Sequence, residues 1–369
     1  MFKLDCWNNK TTIDLSRNSG HVTVMAPARF DFIGGWTDTP PYHFDNVARV
    51  LNTPVVLSGG GEHQDGKKAI VIGVTSSDRL TVIENGKPVT NPENHLIISK
   101  TLEFLGLDRP CIALALSNEI PMGSGLGGSS LLVASLLAAI WGYYRGTDYI
   151  ADHLNDLINN VLLIEQLMES GGGWQDQIGG LFPGIKLIET APENPCRYSV
   201  SYLEKPSKLL DDCSLIIDTR IQRKASRILY SIRQKYVDRD PSTLIMLRTI
   251  ADNAKLGFAM LEQDNLHGFA ELLSDSWRMV NEIEYGAVES VEELHRLCGD
   301  DLIGMKMGGA GGGGFILAIF EDQGKKDHYL KKIRDRFPSC LIYRPCFGGS
   351  GMSVSQNGRV FEVGKIGYV

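Results

Sequence analysis

The sequence predicts an α+β chain of two domains with a cleft between them, and three observations carry that expectation. At 369 residues the chain exceeds the roughly 250–300 at which a single hydrophobic core stops growing. Short β-branched or alternating runs dominate its first third, whereas helical periodicity dominates much of the remainder. Its 40 glycines are about one and a half times the roughly 7% usual in soluble proteins, and many gather beside polar residues instead of marking isolated turns. No Gly-X-Y period is present, which excludes collagen, and 43% hydrophobic residues exclude a disordered chain.

Taken in order, His21 to Met25, Ala48 to Leu57, Ala69 to Val74, Leu80 to Ile83 and Cys111 to Leu116 read as strands separated by Gly, Asn and Asp clusters. Ser129 to Tyr144 is apolar nearly all round and reads as a buried helix. Asp152 to Ser170 is apolar mainly on one face and stops at Gly171. Thr190 to Asp212, with three prolines and mixed charges, reads as the approach to a domain boundary, which divides the chain into 1–210 and 211–369. Beyond it, Leu215 to Asp218 is a strand, and Gln222 to Tyr236 and Pro241 to Glu284 are helical. Glu289 to Leu297 leads into the strand Gly314 to Phe320, and the helix Lys325 to Phe337 and strand Cys340 to Arg344 close an alternating arrangement.

Thirty-seven basic against 44 acidic residues give a net charge of −7, which argues against nucleic acid or an anionic membrane as main partner. A local basic pocket could still hold an anion. Seven scattered cysteines with no C-x-x-C spacing suggest neither a disulfide framework nor a zinc site, and fit reduced thiols in the cytoplasm. Met1 to Leu15 carries charges and amides where an export signal needs an apolar stretch. The longest apolar run, Leu131 to Trp141 interrupted only by Ser135, is far short of the ~20 residues that span a bilayer.

Three glycine clusters carry the chemistry. In the first, Pro121 to Ser130, a Gly-rich loop runs straight into an apolar helix. Glycine lets backbone N–H groups converge on phosphate oxygens, and the helix start adds partial positive charge. The spacing is neither that of a Walker loop nor Gly-x-Gly-x-x-Gly. The plain alternative is a flexible turn with Ser129 as N-cap. The second cluster, Glu169 to Gly180, contains Asp176, and eleven residues earlier Glu165 falls on an apolar helix face with Ile158, Val161, Leu162 and Met168. A buried carboxylate must pair with a cation, take up a proton or coordinate a metal. The third cluster, Gly304 to Gly314, either is mobile or lets backbone approach a ligand closely. Near the N-terminus, Ala26 to Tyr42 adds Arg29, Asp31, Asp38 and aromatics at a strand-to-turn junction. Aromatics beside carboxylates are typical of sugar pockets, although Trp36 could be packed for structure alone.

In this order the segments resemble the GHMP kinase superfamily, named for galactokinase, homoserine kinase, mevalonate kinase and phosphomevalonate kinase, over most of the chain. Pro121 to Ser130 fits the family's Pro-x-x-x-Gly-Leu-Gly-x-Ser-Ser pattern. The resemblance implies an ATP phosphate loop of Pro121, Gly123, Ser124, Gly125, Leu126, Gly127, Gly128 and Ser129, with Mg²⁺ on Ser130 and Glu165 and with Asp176 as catalytic aspartate. It also implies a glycine-rich third motif containing Gly308, Gly309, Ala310, Gly311 and Gly312, which closes on the substrate and phosphates. The implied fold is a ribosomal-protein-S5-like N-terminal domain and a ferredoxin-like C-terminal domain, with the active site between them.

Within the superfamily, Arg29 to Tyr42 is most similar to the L-fucokinases, whose usual wording is close to Gly-Gly-Trp-Ser-Asp-Thr-Pro-Pro; here Thr37 replaces Ser. Galactokinases place Glu-His at the Gly35 and Trp36 positions, where the pair contacts the sugar's 6-hydroxyl. L-Fucose is 6-deoxy-L-galactose, so a pocket facing its methyl gains from a Trp face and would leave a Glu–His pair unsatisfied. This similarity implies a cytoplasmic enzyme that uses ATP to phosphorylate the anomeric hydroxyl of L-fucose, in a salvage step toward GDP-fucose, and that can be fused to a GDP-fucose pyrophosphorylase. Arg29 and Asp176 would be catalytic, and Trp36, Asp38, Gly35 and Thr37 would meet the sugar. Heptose-phosphate kinases share the Gly-Gly-x-Thr-Asp core and are the alternative, although they carry Lys near the Trp174 position. Arg220, Arg223 and Lys224 are the basic groups that could reach a phosphorylated substrate. A non-catalytic sugar sensor on this scaffold would be expected to have lost a metal or catalytic side chain, and Ser130, Glu165, Asp176 and Arg29 are all present.

Overall fold

Strand β1 (Val22–Ile33) organises the molecule because both of its faces become buried. Val22, Val24, Ala26, Ala28, Phe30 and Phe32 alternate along one face and are fully buried. The other face is open at Met25 but closed at Arg29, Asp31 and Ile33. The computed structural model describes residues 20–59, 69–121, 123–205, 207–221, 225–284, 289–309 and 314–364.

After β1 come the short helix α1 (Tyr42–Asp45), β2 (Ala48–Ser58), β3 (Ala69–Ser76), β4 (Thr81–Glu84), β5 (Lys87–Pro88), α2 (Leu96–Phe104) and β6 (Ile112–Asn118). Helices α3 (Gly128–Arg145), α4 (Thr147–Asp152), α5 (Leu154–Leu167) and α6 (Gln175–Leu181) precede a hairpin of β7 (Lys186–Ala191) and β8 (Asn194–Tyr202). Then come α7 (Lys208–Cys213), β9 (Ser214–Asp218), α8 (Ala225–Val237), α9 (Pro241–Glu262), α10 (Leu266–Glu284) and α11 (Glu289–Cys298). The chain closes with β10 (Leu302–Met307), β11 (Phe315–Phe320), α12 (Gln323–Arg336), β12 (Leu341–Phe347), β13 (Ser353–Gln356) and β14 (Arg359–Glu362).

Among the described residues one hydrogen-bonded path joins β10, β11, β9, β12, β2, β1, β3, β6, β4 and β5 in that order. The β12–β2 pairing, with Phe347 opposite Val55, links the strands of the second half to those of the first. Strand β1 pairs with β3 over Val22 to Pro27 and with β2 over Ala28 to Ile33. Phe32 meets Phe269 of α10 and Phe347 of β12 edge-on, at ring separations of 5.4 and 5.2 Å. Strand β13 returns to pair with the start of β1. The architecture is α+β, a mixed sheet with helices packed against it.

Several local expectations are refined. Within the stretch from Thr190 to Asp212 the described residues form the end of β7, then β8 and most of α7. Pro241 to Glu284 is two helices, broken around Asp264 at φ 52°. Helix α3 starts at Gly128 behind Gly127 at φ 80°, with no side-chain cap, so Ser129 is not an N-cap. The first residues of the third glycine cluster belong to β10, not to a loop. Trp36 and Tyr42 are buried and pack with Tyr236, Met246, Ile250 and Val280 of α8, α9 and α10. The six described cysteines form no disulfide, and Cys6 lies outside the described residues. No described helix is long and apolar enough to cross a membrane.

Candidate active site

Arg29 and Asp31 alternate with Phe30 and Phe32 along β1, so the two charges share one face while the rings take the other. Arg29 is 1% exposed and distributes its donors over three segments. Nε donates to Asp176 Oδ1 at 3.0 Å and Nη2 donates to the same oxygen. Nη1 donates to Asp31 Oδ1 at 2.9 Å and to the Gly125 carbonyl at 2.7 Å. Burial would lower the pKa of the guanidinium, but the charges of Asp176 and Asp31 outweigh it and raise the net value, so the side chain stays cationic.

Asp176 stands in the first turn of α6, a short helix held against the sheet by small residues and one amide. Asn52 Nδ2 donates to the Gln175 carbonyl at 3.0 Å. A Cβ on Gly180 would lie 2.3 Å from Leu131 Cδ2, so a larger residue would have to displace that side chain for α6 to lie this close to α3. Gly173, just before the helix, is equally constrained: its Cβ would lie 2.1 Å from Asp38 Oδ2. That oxygen of Asp38 accepts from the Gln175 N–H at 2.9 Å, whereas Oδ1 is buried without a partner. Burial, opposed by the Gln175 N–H and reinforced by the charge of Asp176, pushes the Asp38 carboxyl up to about 7. Gln175 Oε1 is a second buried acceptor without a partner. Trp36, at φ 82° and 8% exposed, lines the same cavity.

The phosphate-loop candidate meets the third glycine cluster backbone to backbone. A Cβ on Gly125 would lie 2.4 Å from the Gly308 carbonyl oxygen, and one on Gly314 would lie 2.4 Å from that of Ser124. The Phe315 N–H donates to the Ser124 carbonyl at 3.3 Å. Between these elements lies a cavity of about 160 Å³. Gly123, Ser124, Gly125, Gly127, Gly128 and Ser129 form one wall, Trp36, Asp38 and Gln175 another, and Arg29 and Asp176 stand between them. Of the described lining residues only Arg29 is basic.

Glu165 of α5 is 2% exposed, accepts from the Ser130 hydroxyl at 2.6 Å through Oε1, and leaves Oε2 without a partner. Burial first, then the charge of Asp176, raises its pKa to about 8. Ser130 Oγ also lies 3.4 Å from Asp176 Oδ2. An orphaned carboxylate oxygen beside a hydroxyl and a second carboxylate fits Mg²⁺, a hard cation that takes oxygen ligands. Among the described residues no group of three or more His, Cys, Asp and Glu is placed to hold a metal ion.

The structure thus brings Arg29, Asp176, Trp36, Asp38, Gly308, Gly309 and most of the Gly-rich loop to one cavity. Gly35 lines a smaller neighbouring space with Asp31 and Lys306. Thr37 turns its hydroxyl onto the carbonyls of Gly34 and Arg49 and does not line the cavity, and Leu126 is buried in the core. Pro121 flanks the loop without lining the cavity. Ala310, Gly311 and Gly312, like Arg223 and Lys224, lie outside the described residues. Arg220 is paired with Asp218, its Nε 3.6 Å from Oδ2. Sequence reasoning assigned no role to Asp31, Lys306 or Gln175. The signal for the first two was a charge inside an otherwise apolar strand.

Two family models and several known proteins match the chain. The N-terminal domain of the GHMP kinases matches residues 96–184, and the C-terminal domain of the same kinases matches residues 259–339. The chain is 31% identical over 332 residues to a bifunctional fucokinase/GDP-fucose pyrophosphorylase of Arabidopsis thaliana, covering 85% of this chain and 31% of that protein. It is 29% identical over 366 residues to an L-fucokinase/L-fucose-1-P guanylyltransferase of Bacteroides fragilis, covering 90% and 38%. The chain therefore spans about a third of the length of these two relatives. A D-glycero-α-D-manno-heptose 7-phosphate kinase of Campylobacter jejuni is 26% identical over 85% of this chain and 93% of its own. Among solved structures, Lactococcus lactis galactokinase complexed with galactose superposes with a TM-score of 0.67 at 16% identity, covering 95% of this chain and 97% of that one.

Proposed function

Because the chain carries both the N- and C-terminal domains of the GHMP kinases it belongs to that family, and we propose that it transfers the γ-phosphoryl group of ATP to the anomeric hydroxyl of L-fucose. The products are β-L-fucose 1-phosphate and ADP. One observation carries the reading: the Arg29–Asp176 pair stands between a glycine-lined wall suited to phosphates and a wall of Trp36, Asp38 and Gln175 suited to a sugar. The names of the two fucokinase relatives support the choice of sugar.

In this reading the anomeric oxygen bonds to the γ-phosphorus, its proton passes to the Asp176 carboxylate, and the bond to the β-phosphate oxygen breaks with ADP as leaving group. Arg29 orients Asp176 through two hydrogen bonds and offsets the negative charge on the transferring group. The loop of residues 123–129 offers backbone N–H groups to the nucleotide phosphates. Ser130 and Glu165 would hold Mg²⁺, which when bound neutralises phosphate charge. The unpartnered acceptors Asp38 Oδ1 and Gln175 Oε1 receive sugar hydroxyls. Trp36 presents an apolar face that favours a methyl over a hydroxymethyl group.

A phosphorylated heptose would require a further cation, and among the described lining residues only Arg29 is basic. The product is an activated-sugar precursor, so a nucleotidyltransferase is the class of enzyme that consumes it. The test is ADP release with L-fucose against its methyl glycoside, which lacks the anomeric hydroxyl. Turnover with L-fucose and none with the glycoside is expected; equal turnover with both refutes transfer to the anomeric position.

A further inference from the structure

Lys306 is the penultimate residue of β10, two residues before Gly308, is 7% exposed, and has no part in the chemistry above. Its ammonium crosses from the second half of the chain to β1. There it donates to Asp31 Oδ2 and, at 2.7 Å, to the Asp31 carbonyl. The other carboxylate oxygen, Asp31 Oδ1, accepts from Arg29 Nη1 at 2.9 Å and from the Gly309 N–H at 3.0 Å. Arg29 in turn holds Asp176 and the Gly125 carbonyl. Four buried or half-buried charges of alternating sign thus run Lys306, Asp31, Arg29, Asp176.

The order of charges matters because Arg29 faces two carboxylates at once. An Asp31 with Arg29 as its sole cation would draw the guanidinium toward itself and away from Asp176. Lys306 occupies the far oxygen of Asp31 and supplies the second positive charge, which leaves Arg29 Nε and Nη2 on Asp176. The same stretch of chain brings Gly308 and Gly309 against Gly125, so seating this loop and aiming Arg29 are one arrangement.

We propose that Lys306 is a positioning residue for phosphoryl transfer: it holds Asp31, and through Asp31 it fixes Arg29 between Asp176 and the Gly125 carbonyl. The proposal rests on the reading that Arg29 and Asp176 serve the transfer, and it does not depend on which sugar is used.

The test compares Lys306→Met, Lys306→Arg and the double variant Asp31→Asn/Lys306→Met with the intact chain, on whichever sugar of a panel the intact chain phosphorylates. Lys306→Met should lower kcat about 100-fold, the scale of a mispositioned reacting group. Equilibrium dissociation constants for the sugar and a non-hydrolysable ATP analogue should stay within about twofold, which separates positioning from binding. Lys306→Arg should recover part of the lost kcat. The double variant removes both charges of the pair, leaves Arg29 with Asp176 alone, and should stay within about tenfold of the intact chain. It also carries the test if Lys306→Met does not fold. A folded Lys306→Met with kcat within about threefold of the intact chain overturns the proposal, as does a folded double variant slowed about 100-fold. An intact chain active on another sugar but not on L-fucose refutes the substrate reading alone, and the Lys306 comparison is then read on that sugar.

Discussion

Replacing Glu165 by Gln should stabilise the metal-free protein at alkaline pH while disabling it as an enzyme. The fold buries this carboxyl to 2% exposure, gives Oε1 the Ser130 hydroxyl and leaves Oε2 bare. Burial and the neighbouring Asp176 raise its pKa from 4.5 to about 8. In the unfolded chain the proton leaves near 4.5, whereas in the folded chain it leaves near 8. The folded state therefore binds more protons between those values, and stability is lost as pH rises through that window. At about 1.4 kcal/mol per pH unit, the window corresponds to the order of 5 kcal/mol. Gln is neutral throughout, so in EDTA the variant should unfold close to wild type at about pH 5 and several degrees higher at about pH 9. Adding Mg²⁺ and nucleotide should favour wild type, since only the carboxylate gains from the cation. Thermal unfolding followed by fluorescence measures all of this. A Glu165→Gln protein no more stable than wild type at about pH 9 in EDTA would refute the reasoning.

Asp176→Asn should reduce turnover by about 10³-fold or more while calorimetry still detects ATP binding; an active variant would remove Asp176 from the chemistry. Gly173→Ala places a Cβ 2.1 Å from Asp38 Oδ2 and must displace that carboxylate. Sugar KM should rise about tenfold, one hydrogen bond's worth, with nucleotide affinity unchanged, and an unaltered sugar KM would exclude Asp38 from the sugar site. Gly125→Ala combines a strained φ of 78° with a Cβ 2.4 Å from the Gly308 carbonyl oxygen. It should cost more than about 1 kcal/mol in unfolding free energy and weaken ATP binding, so unchanged melting and affinity would show that this backbone contact is dispensable.

What could be read in the sequence was what lies close together along the chain. The Gly-rich loop of residues 121–130, the helix behind it and the eleven-residue step from Glu165 to Asp176 are local patterns, and the structure brings them to one place. The contact between Lys306 and Asp31 joins residues 275 positions apart and depends on how β10, which starts the strand path, comes to face β1, which no local period encodes. Strands β13 and β14, four residues each, are too short for alternation to show; β13 exists because β1 and α3 offer it a partner, and β14 because it pairs with β13. Trp36 is buried because helices from the second half of the chain cover it, so it is packed on that side and lines the cavity as well. The N-terminus of α3 needed a residue that could lie against Arg29. A Cβ on Gly127 would come within 2.9 Å of Arg29 Cγ, which is why glycine, and not Ser129, begins the helix.

The central claim is transfer of phosphate to the anomeric oxygen of L-fucose, and ³¹P NMR of reaction mixtures tests it most directly. ATP and Mg²⁺ would be supplied with L-fucose, D-arabinose, D-galactose or heptose phosphates in turn. A new resonance is expected with L-fucose, its phosphorus coupled to the anomeric proton and its intensity growing in step with ADP. Phosphorylation of a heptose phosphate with none of L-fucose, or a phosphate on any other fucose oxygen, would contradict the claim.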